Sequence, residues 1–178
     1  MLFRSEGHCY ANTTCGALQA LAAARIDLVV RLDDGSGGYV VPTTAAGRTA
    51  WRARLEGLFD DRFGGAIHRS ARVFVVGNEP NICIEAGGAP GCAPASAAID
   101  PGAYAAAYRD ARAVLRARSG GTAIALVAGP SGAGARGFGY LDETLAQLCG
   151  DEVDGFALHA YGGNDSDPDR DGTFGFSA

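Results

Sequence analysis

Lysine is absent from this sequence: all 15 basic residues are arginine, and 20 acidic residues outnumber them. The formal net charge of −5 argues against nucleic-acid binding, because contacts to phosphates need a basic face. No apolar run approaches the roughly 20 residues that a membrane-spanning helix needs, and residues 1–5 lack the apolar core of a signal peptide. We therefore expect neither a nucleic-acid nor a membrane partner.

The composition that is present suits one globular domain. The chain has 178 residues, of which 47% are hydrophobic and 20% charged, so residues 1–178 are long enough to bury a core. Residues 1–5 (Met-Leu-Phe-Arg-Ser) resemble translated sequencing-adapter read-through. If they are such read-through, the true start of the protein lies further upstream, and the missing signal peptide carries no information.

Short segments rich in β-branched residues alternate with amphipathic segments along the chain. Predicted strands cover residues 26–32, 73–77, 123–128 and 153–159, and predicted helices cover residues 17–25, 49–63, 101–118 and 138–149. This alternation predicts an α/β fold with right-handed βαβ units and a parallel sheet. Both an open doubly wound sheet and part of a (β/α)8 barrel fit this order.

Each predicted strand ends in a polar or Gly/Pro-rich run, as a site shared by one edge of a parallel sheet requires. Glu79 lies in the sharpest of these runs, Gly-Asn-Glu-Pro-Asn at residues 77–81, directly after a buried strand. Its carboxylate would be held at the mouth of the sheet as a general acid, and the amide of Asn78 could donate to a sugar hydroxyl. The alternative is a capping Asn78 and a solvated Glu79 in a turn.

A strand followed by Asn78-Glu79-Pro80 resembles the fourth strand of the clan A glycoside hydrolases, which are (β/α)8 TIM barrels. In that family this Glu protonates the leaving glycosidic oxygen, and the Asn contacts the 2-hydroxyl of the sugar. The resemblance covers about residues 17–163. It implies a partial barrel with strands three to six, with Glu79 as the catalytic acid/base and a poly- or oligosaccharide as substrate.

Three further strand ends extend the resemblance. Residues 127–130 (Val-Ala-Gly-Pro) are similar to the end of strand five, and Arg31 falls at the place of strand three, where pairing with a nearby aspartate is its alternative role. The last predicted strand ends in His159-Ala-Tyr161, similar to strand six of the clan, where the His faces the substrate and the Tyr touches the nucleophile. His159 and Tyr161 share one face of a strand. The resemblance implies that Arg31, His159 and Tyr161 contact substrate.

A retaining glycosidase needs a second carboxylate about 5 Å from the acid, which acts as the nucleophile. In clan A barrels it ends strand seven, whereas the strands recognised here stop at strand six. Because a full barrel needs around 250 residues, we expect this chain to be a fragment without the nucleophile. A non-catalytic or degenerate carbohydrate-binding barrel is the alternative, and a strand ending in Glu within about 40 residues after Ala178 would favour the enzyme.

Ser131 offers a different hydrolase chemistry. It follows a predicted strand, as the serine of a nucleophile elbow does, and Asp154 and His159 come later in the order of esterases. The second glycine of the elbow is replaced by Ala133, and Asp154 and His159 would lie at opposite ends of one strand, too far apart for a hydrogen bond. The esterase is therefore a minor alternative.

Two of the five cysteines bear on the compartment. Cys83 and Cys92 fall in one Gly/Pro-rich loop, where a disulfide would imply an oxidising compartment and hence a secreted protein. Five free thiols are the alternative. The sequence also predicts that Cys149 is a buried thiol in an apolar helix.

The acidic run near the end of the sequence bears on cofactors. Asp167, Asp169 and Asp171 alternate as the first ligands of a calcium loop do, but the twelfth position is Ala178 instead of the bidentate Glu. A partial Ca²⁺ site and a solvated loop both fit, and we expect no other cofactor. The exposed sheet edges of a fragment further predict self-association.

Because the nucleophile is expected outside this chain, the purified 178-residue protein should not hydrolyse glycosides. Activated aryl glycosides report cleavage directly, through the release of a coloured phenolate. We expect wild type and Glu79→Gln to release phenolate at the same uncatalysed rate. Turnover that Glu79→Gln abolishes would contradict this expectation.

Overall fold

The computed structural model describes residues 2–4, 20, 23–34, 40–57, 59, 71–83, 85–86, 98–130 and 135–158. These residues contain strands β1 (Leu2–Arg4), β2 (Leu28–Asp33), β3 (Ala71–Val76) and β4 (Ile124–Val127). They also contain helices α1 (Ala45–Gly57), α2 (Pro101–Ser119) and α3 (Ala135–Gln147), followed by a 3-10 turn at Gly150–Glu152. The mixed α/β fold predicted from the sequence is confirmed.

The strands lie side by side in the order β1-β2-β3-β4, and every neighbouring pair is parallel. Leu32 pairs with Val76, and Val76 pairs with Val127. The carboxyl ends of β2, β3 and β4 therefore meet at one edge of the sheet, which we call the carboxyl edge. Val127 also forms a parallel bridge with Phe156, so residues 153–158 run beside β4.

Two parts of the sheet differ from the prediction. The sequence does not predict β1: residues 1–5 resemble adapter read-through, whereas Leu2–Arg4 pair in parallel with Arg31–Asp33 of β2. Such a three-residue edge pairing uses backbone groups and leaves no side-chain pattern. The sequence predicts a full strand at residues 153–159, but within residues 153–158 only Phe156 bridges to β4. At the amino end of β4, Oδ2 of Asp154 accepts a hydrogen bond from the N–H of Ala125 at 2.9 Å, where a paired strand would offer a backbone carbonyl.

Three of the four predicted helices are present, with shifted ends, whereas the predicted helix at residues 17–25 lies mostly outside the described residues. α1 begins at Ala45, before its apolar stripe, because Oγ1 of Thr44 accepts a hydrogen bond from the N–H of Gly47 at 3.1 Å. α2 starts as predicted: Asp100 caps it by accepting from the N–H of Ala103. The prediction for Cys149 is wrong, because α3 ends at Gln147 and Cys149 is an exposed free thiol beyond it.

Alternate residues of the strands share a core with the helices. The strands contribute buried side chains from every second position, and the helices contribute large aromatic and aliphatic side chains. The core includes Val30, Leu32, Phe74, Val76, Ala125, Val127, Trp51, Leu55, Tyr104, Tyr108 and Leu115. Consecutive helices pack against one another, α1 with α2 and α2 with α3, so they form one layer.

The strand residues at the other alternate positions form a second face, which is apolar except at Arg31 and Asp33 of β2. Val29 pairs with Val73, and Val73 pairs with Ile124, so these three side chains make one row across the sheet. Val29 is 58% exposed and Ile124 is 41% exposed. Among the described residues, helices cover only the first face. We call the second one the open face.

Tyr104 ties α2 to the carboxyl edge. Its hydroxyl donates to the carbonyl of Val76 at 2.7 Å and accepts from the N–H of Ala128 at 2.6 Å. Burial raises the pKa of Tyr104 far above its ordinary value, so the hydroxyl keeps its proton. One side chain thus holds the last residue of β3 and the first residue after β4.

Tyr104→Phe should lower the free energy of unfolding by about 1–3 kcal/mol, because it leaves a buried N–H and a buried carbonyl without partners. Urea unfolding followed by circular dichroism measures the change. Tyr140→Phe is the matched control, since the hydroxyl of Tyr140 donates to one carbonyl, that of Ile99, from a partly buried position. We expect a smaller loss for the control, and an equal loss would contradict the role of Tyr104.

Candidate functional site

After β3 the chain turns through Gly77, Asn78, Glu79 and Pro80 at the carboxyl edge. Gly77 has a φ of 83°, and a Cβ atom there would lie 3.1 Å from Cγ1 of Val41, so both conformation and space favour glycine. The N–H of Gly77 donates to the carbonyl of Leu32 at 2.7 Å, which keeps the turn against β2. Asn78 is 9% exposed and Glu79 is 8% exposed. Glu79 is therefore a buried carboxyl group and not a solvated turn residue.

The backbone of Glu79 is strained. Its φ is 33°, and among the described non-glycine residues only Arg25 shares a positive value. Left-handed backbone costs an L-residue about 1–2 kcal/mol, because Cβ approaches the following carbonyl oxygen. Residues held in such conformations cluster at functional sites. This strain distinguishes Glu79 from the other carboxylates at the same edge.

The amide of Asn78 is held by Glu85, a residue that the sequence analysis did not single out. Nδ2 of Asn78 donates to Oε1 of Glu85 at 2.7 Å. The second carboxylate oxygen of Glu85 lies 3.9 Å from Nη2 of Arg31. Arg31 in turn contacts Asp33 at two points, with Nε 3.0 Å from Oδ1 and Nη2 2.7 Å from Oδ2. Arg31 thus pairs with Asp33 and also joins, through Glu85, the group around Asn78.

Backbone hydrogen bonds join the loops that carry these side chains. The N–H of Val40 donates to the carbonyl of Glu85 at 2.9 Å, and the N–H of Asp34 donates to the carbonyl of Val40 at 2.8 Å. Asp34 is buried and forms an ion pair with Arg54 of α1. The loop after β3 is therefore fixed to the end of β2, which sets the distance between Arg31 and Asn78.

The end of β4 forms the next part of the edge. A Cβ atom on Gly129 would lie 2.0 Å from the carbonyl oxygen of Ala157, so the two backbones touch. Residues 157–158 consequently lie against the end of β4. His159 and Tyr161, the substrate contacts predicted from the sequence, come next in the chain but lie outside the described residues. The same holds for Ser131.

Asp154 lies near the amino end of β4, away from the carboxyl edge. Its Oδ1 is 2.8 Å from Nη2 of Arg112 and 2.7 Å from Nη2 of Arg116, both on α2. Burial acts to raise the pKa of Asp154, but hydrogen bonds from Arg112 and Ala125 and the two positive charges outweigh it, so the pKa lies below its usual value. This carboxylate anchors residues 153–158 to α2, which argues against a place for it in an esterase triad.

The described part of the chain contains no group of three or more His, Cys, Asp or Glu residues that could hold a metal ion. Asp167, Asp169 and Asp171 lie outside it, so the calcium loop stays a prediction. Cys83 is buried, while Cys92 lies outside the described residues, and their disulfide stays a prediction as well. No helix in the described ranges is long and apolar enough to cross a membrane.

No family model matches this chain, and neither a curated protein nor a solved structure matches it significantly. The candidate site is therefore defined by its own geometry, which consists of the strained and buried Glu79, the fixed amide of Asn78, and the position of both at the carboxyl edge.

The strain at Glu79 predicts an unusual order of stabilities for two variants. Glu79→Gly and Glu79→Ala both remove the carboxylate, and they differ only in Cβ. Glu79→Gly should therefore be more stable than Glu79→Ala by about 1 kcal/mol, measured by urea unfolding. Glu85 is the control position: its φ is not positive, so Glu85→Ala should be more stable than Glu85→Gly. The same order at both positions would contradict strain at Glu79.

Proposed function

We propose that this protein is a retaining glycoside hydrolase of the (β/α)8-barrel type that acts on a poly- or oligosaccharide, with Glu79 as its general acid/base. The observation that carries the proposal is the buried, strained Glu79 beside the fixed amide of Asn78 at the carboxyl edge of a parallel sheet. Active sites of (β/α)8 barrels lie at this edge.

The strand order supports a barrel over a doubly wound sheet. β1 to β4 follow one another in chain order, and Phe156 continues the order beyond β4. A doubly wound sheet reverses its strand order at a switch point, and none occurs here among the described strands. The single helix layer fits the outer ring of a barrel, and the apolar row of Val29, Val73 and Ile124 on the open face fits its packed interior.

The proposed chemistry uses the carboxyl group of Glu79 twice. Protonated Glu79 gives its proton to the glycosidic oxygen as the bond to the sugar breaks, while a second carboxylate attacks the anomeric carbon. Glu79 then takes a proton from the water that hydrolyses the glycosyl-enzyme. Asn78 would hold the sugar through a hydroxyl group, and His159 and Tyr161 would complete the cleft beyond residues 157–158.

A non-catalytic carbohydrate-binding barrel is the second candidate, and one observation favours it. The carboxylates of Asp33 and Glu85 at the carboxyl edge are engaged by Arg31 and Asn78, so neither is placed as a nucleophile. The nucleophile of an enzyme would have to come from another strand end. A secreted location, through a disulfide between Cys83 and Cys92, is compatible with both candidates and belongs to the same proposal.

Both candidates predict saccharide binding by this chain. Calorimetric titration with gluco-, xylo- and manno-oligosaccharides should find at least one ligand, and Asn78→Ala should weaken its binding about tenfold, since a sugar hydroxyl loses its partner. Asp142→Asn, an exposed change on α3, is the control and should bind as wild type does. The proposal fails if no saccharide binds, or if Asn78→Ala binds as tightly as wild type.

A further inference from the structure

The side chain of Asn78 has two ends of similar shape and opposite hydrogen-bonding character. Its Oδ1 only accepts hydrogen bonds, and its Nδ2 only donates them. The neighbour that contacts the amide therefore decides which end is presented to a ligand. The hydrogen bond from Nδ2 to Oε1 of Glu85, at 2.7 Å, settles that choice here, because Nδ2 is the donor end of the amide.

Both the backbone and the side-chain carboxylate of Glu85 are held in place by neighbouring groups. Its carbonyl accepts from Val40, and its N–H donates to the carbonyl of Ile82 at 3.2 Å, which fixes the backbone in a turn. Its Oε2 lies 3.9 Å from the guanidinium of Arg31, which is anchored in turn by Asp33. The carboxylate is thus directed toward Asn78 from a backbone that is held against Val40, in the loop after β2.

We infer that Glu85 is a positioning residue of the site, which fixes the Asn78 amide in one orientation for a sugar hydroxyl. With one N–H bound to Glu85, Asn78 retains Oδ1 and its second N–H. A hydroxyl group can donate to the first and accept from the second, which a group that only accepts cannot do. The identity of the ligand rests on the proposed function, whereas the orientation of the amide does not.

The first test measures the amide without any ligand. In an NMR spectrum of the wild-type chain, one Nδ2 proton of Asn78 should lie downfield and exchange slowly with water. Asn78→Ala assigns the signal by removing it. Glu85→Ala should move that proton upfield and raise its exchange rate at least tenfold. Glu85→Gln keeps an acceptor oxygen and should preserve the downfield proton, which also covers the case in which Glu85→Ala fails to fold.

The second test asks whether Glu85 acts through Asn78. With the saccharide that the wild-type chain binds best, Glu85→Ala should weaken binding by up to tenfold. The double variant Asn78→Ala/Glu85→Ala should bind no more weakly than Asn78→Ala alone, because residues that act as one unit are not additive. Additive losses would show direct ligand contact by Glu85 and overturn the inference.

The two tests separate failure of this inference from failure of the proposed function. An Asn78 proton signal that Glu85→Ala leaves unchanged, or that Glu85→Gln loses as fully as Glu85→Ala does, overturns the positioning role whatever the chain binds. Absence of saccharide binding by wild type overturns the proposed function, and the NMR result then decides the positioning role by itself.

Discussion

The parallel register of β2, β3 and β4 is the constraint on which the site depends. It brings Leu32, Val76 and Val127 to the same height, so the loops that follow these residues meet at one edge. Tyr104 reinforces this arrangement from the helix layer, since its hydroxyl bonds to the backbone on both sides of the gap between β3 and β4. Without that alignment, Arg31 of β2 would lie apart from Asn78 and Glu85 in the loop after β3, and the three could not form one network.

Rigid support around Glu79 is what allows its backbone strain to persist. The turn is held by the hydrogen bond from Gly77 to Leu32, and beyond Pro80 by the hydrogen bond from Ile99 to the Pro80 carbonyl at 2.9 Å. Strained conformations survive only where the surroundings determine them. A retaining glycosidase needs such a rigidly directed carboxyl group, because its acid must meet the glycosidic oxygen at a fixed angle and distance.

Much of the fold follows from the sequence, because hydrophobic periodicity and capping are local signals. The α/β alternation, the buried strand before Asn78 and the Asp100 cap of α2 are confirmed. The weak pairing of residues 153–158 was not predictable from the sequence. The side chain of Asp154 accepts a hydrogen bond from the N–H of Ala125, 29 residues earlier in the chain, and no local pattern indicates such a contact.

Within the site, Asn78 and Glu79 could be identified from one tripeptide, whereas their partners could not. Glu85 matters only because the loop after β3 returns to Val40, and no pattern in the sequence encodes that path. In the sequence, Tyr104 resembles the other apolar residues of α2. The two hydrogen bonds of its hydroxyl are visible only in the structure. A buried tyrosine needs a hydrogen-bond partner, and that rule is the one signal that could have pointed to it.

A crystal structure of this chain with a bound oligosaccharide would locate the saccharide relative to the carboxyl edge. We expect a sugar hydroxyl within hydrogen-bond distance of the Asn78 amide and a glycosidic oxygen facing the carboxyl group of Glu79. A saccharide bound at the amino ends of the strands, near Ala71 and Ala123, or along the open face at Val29, would contradict this expectation.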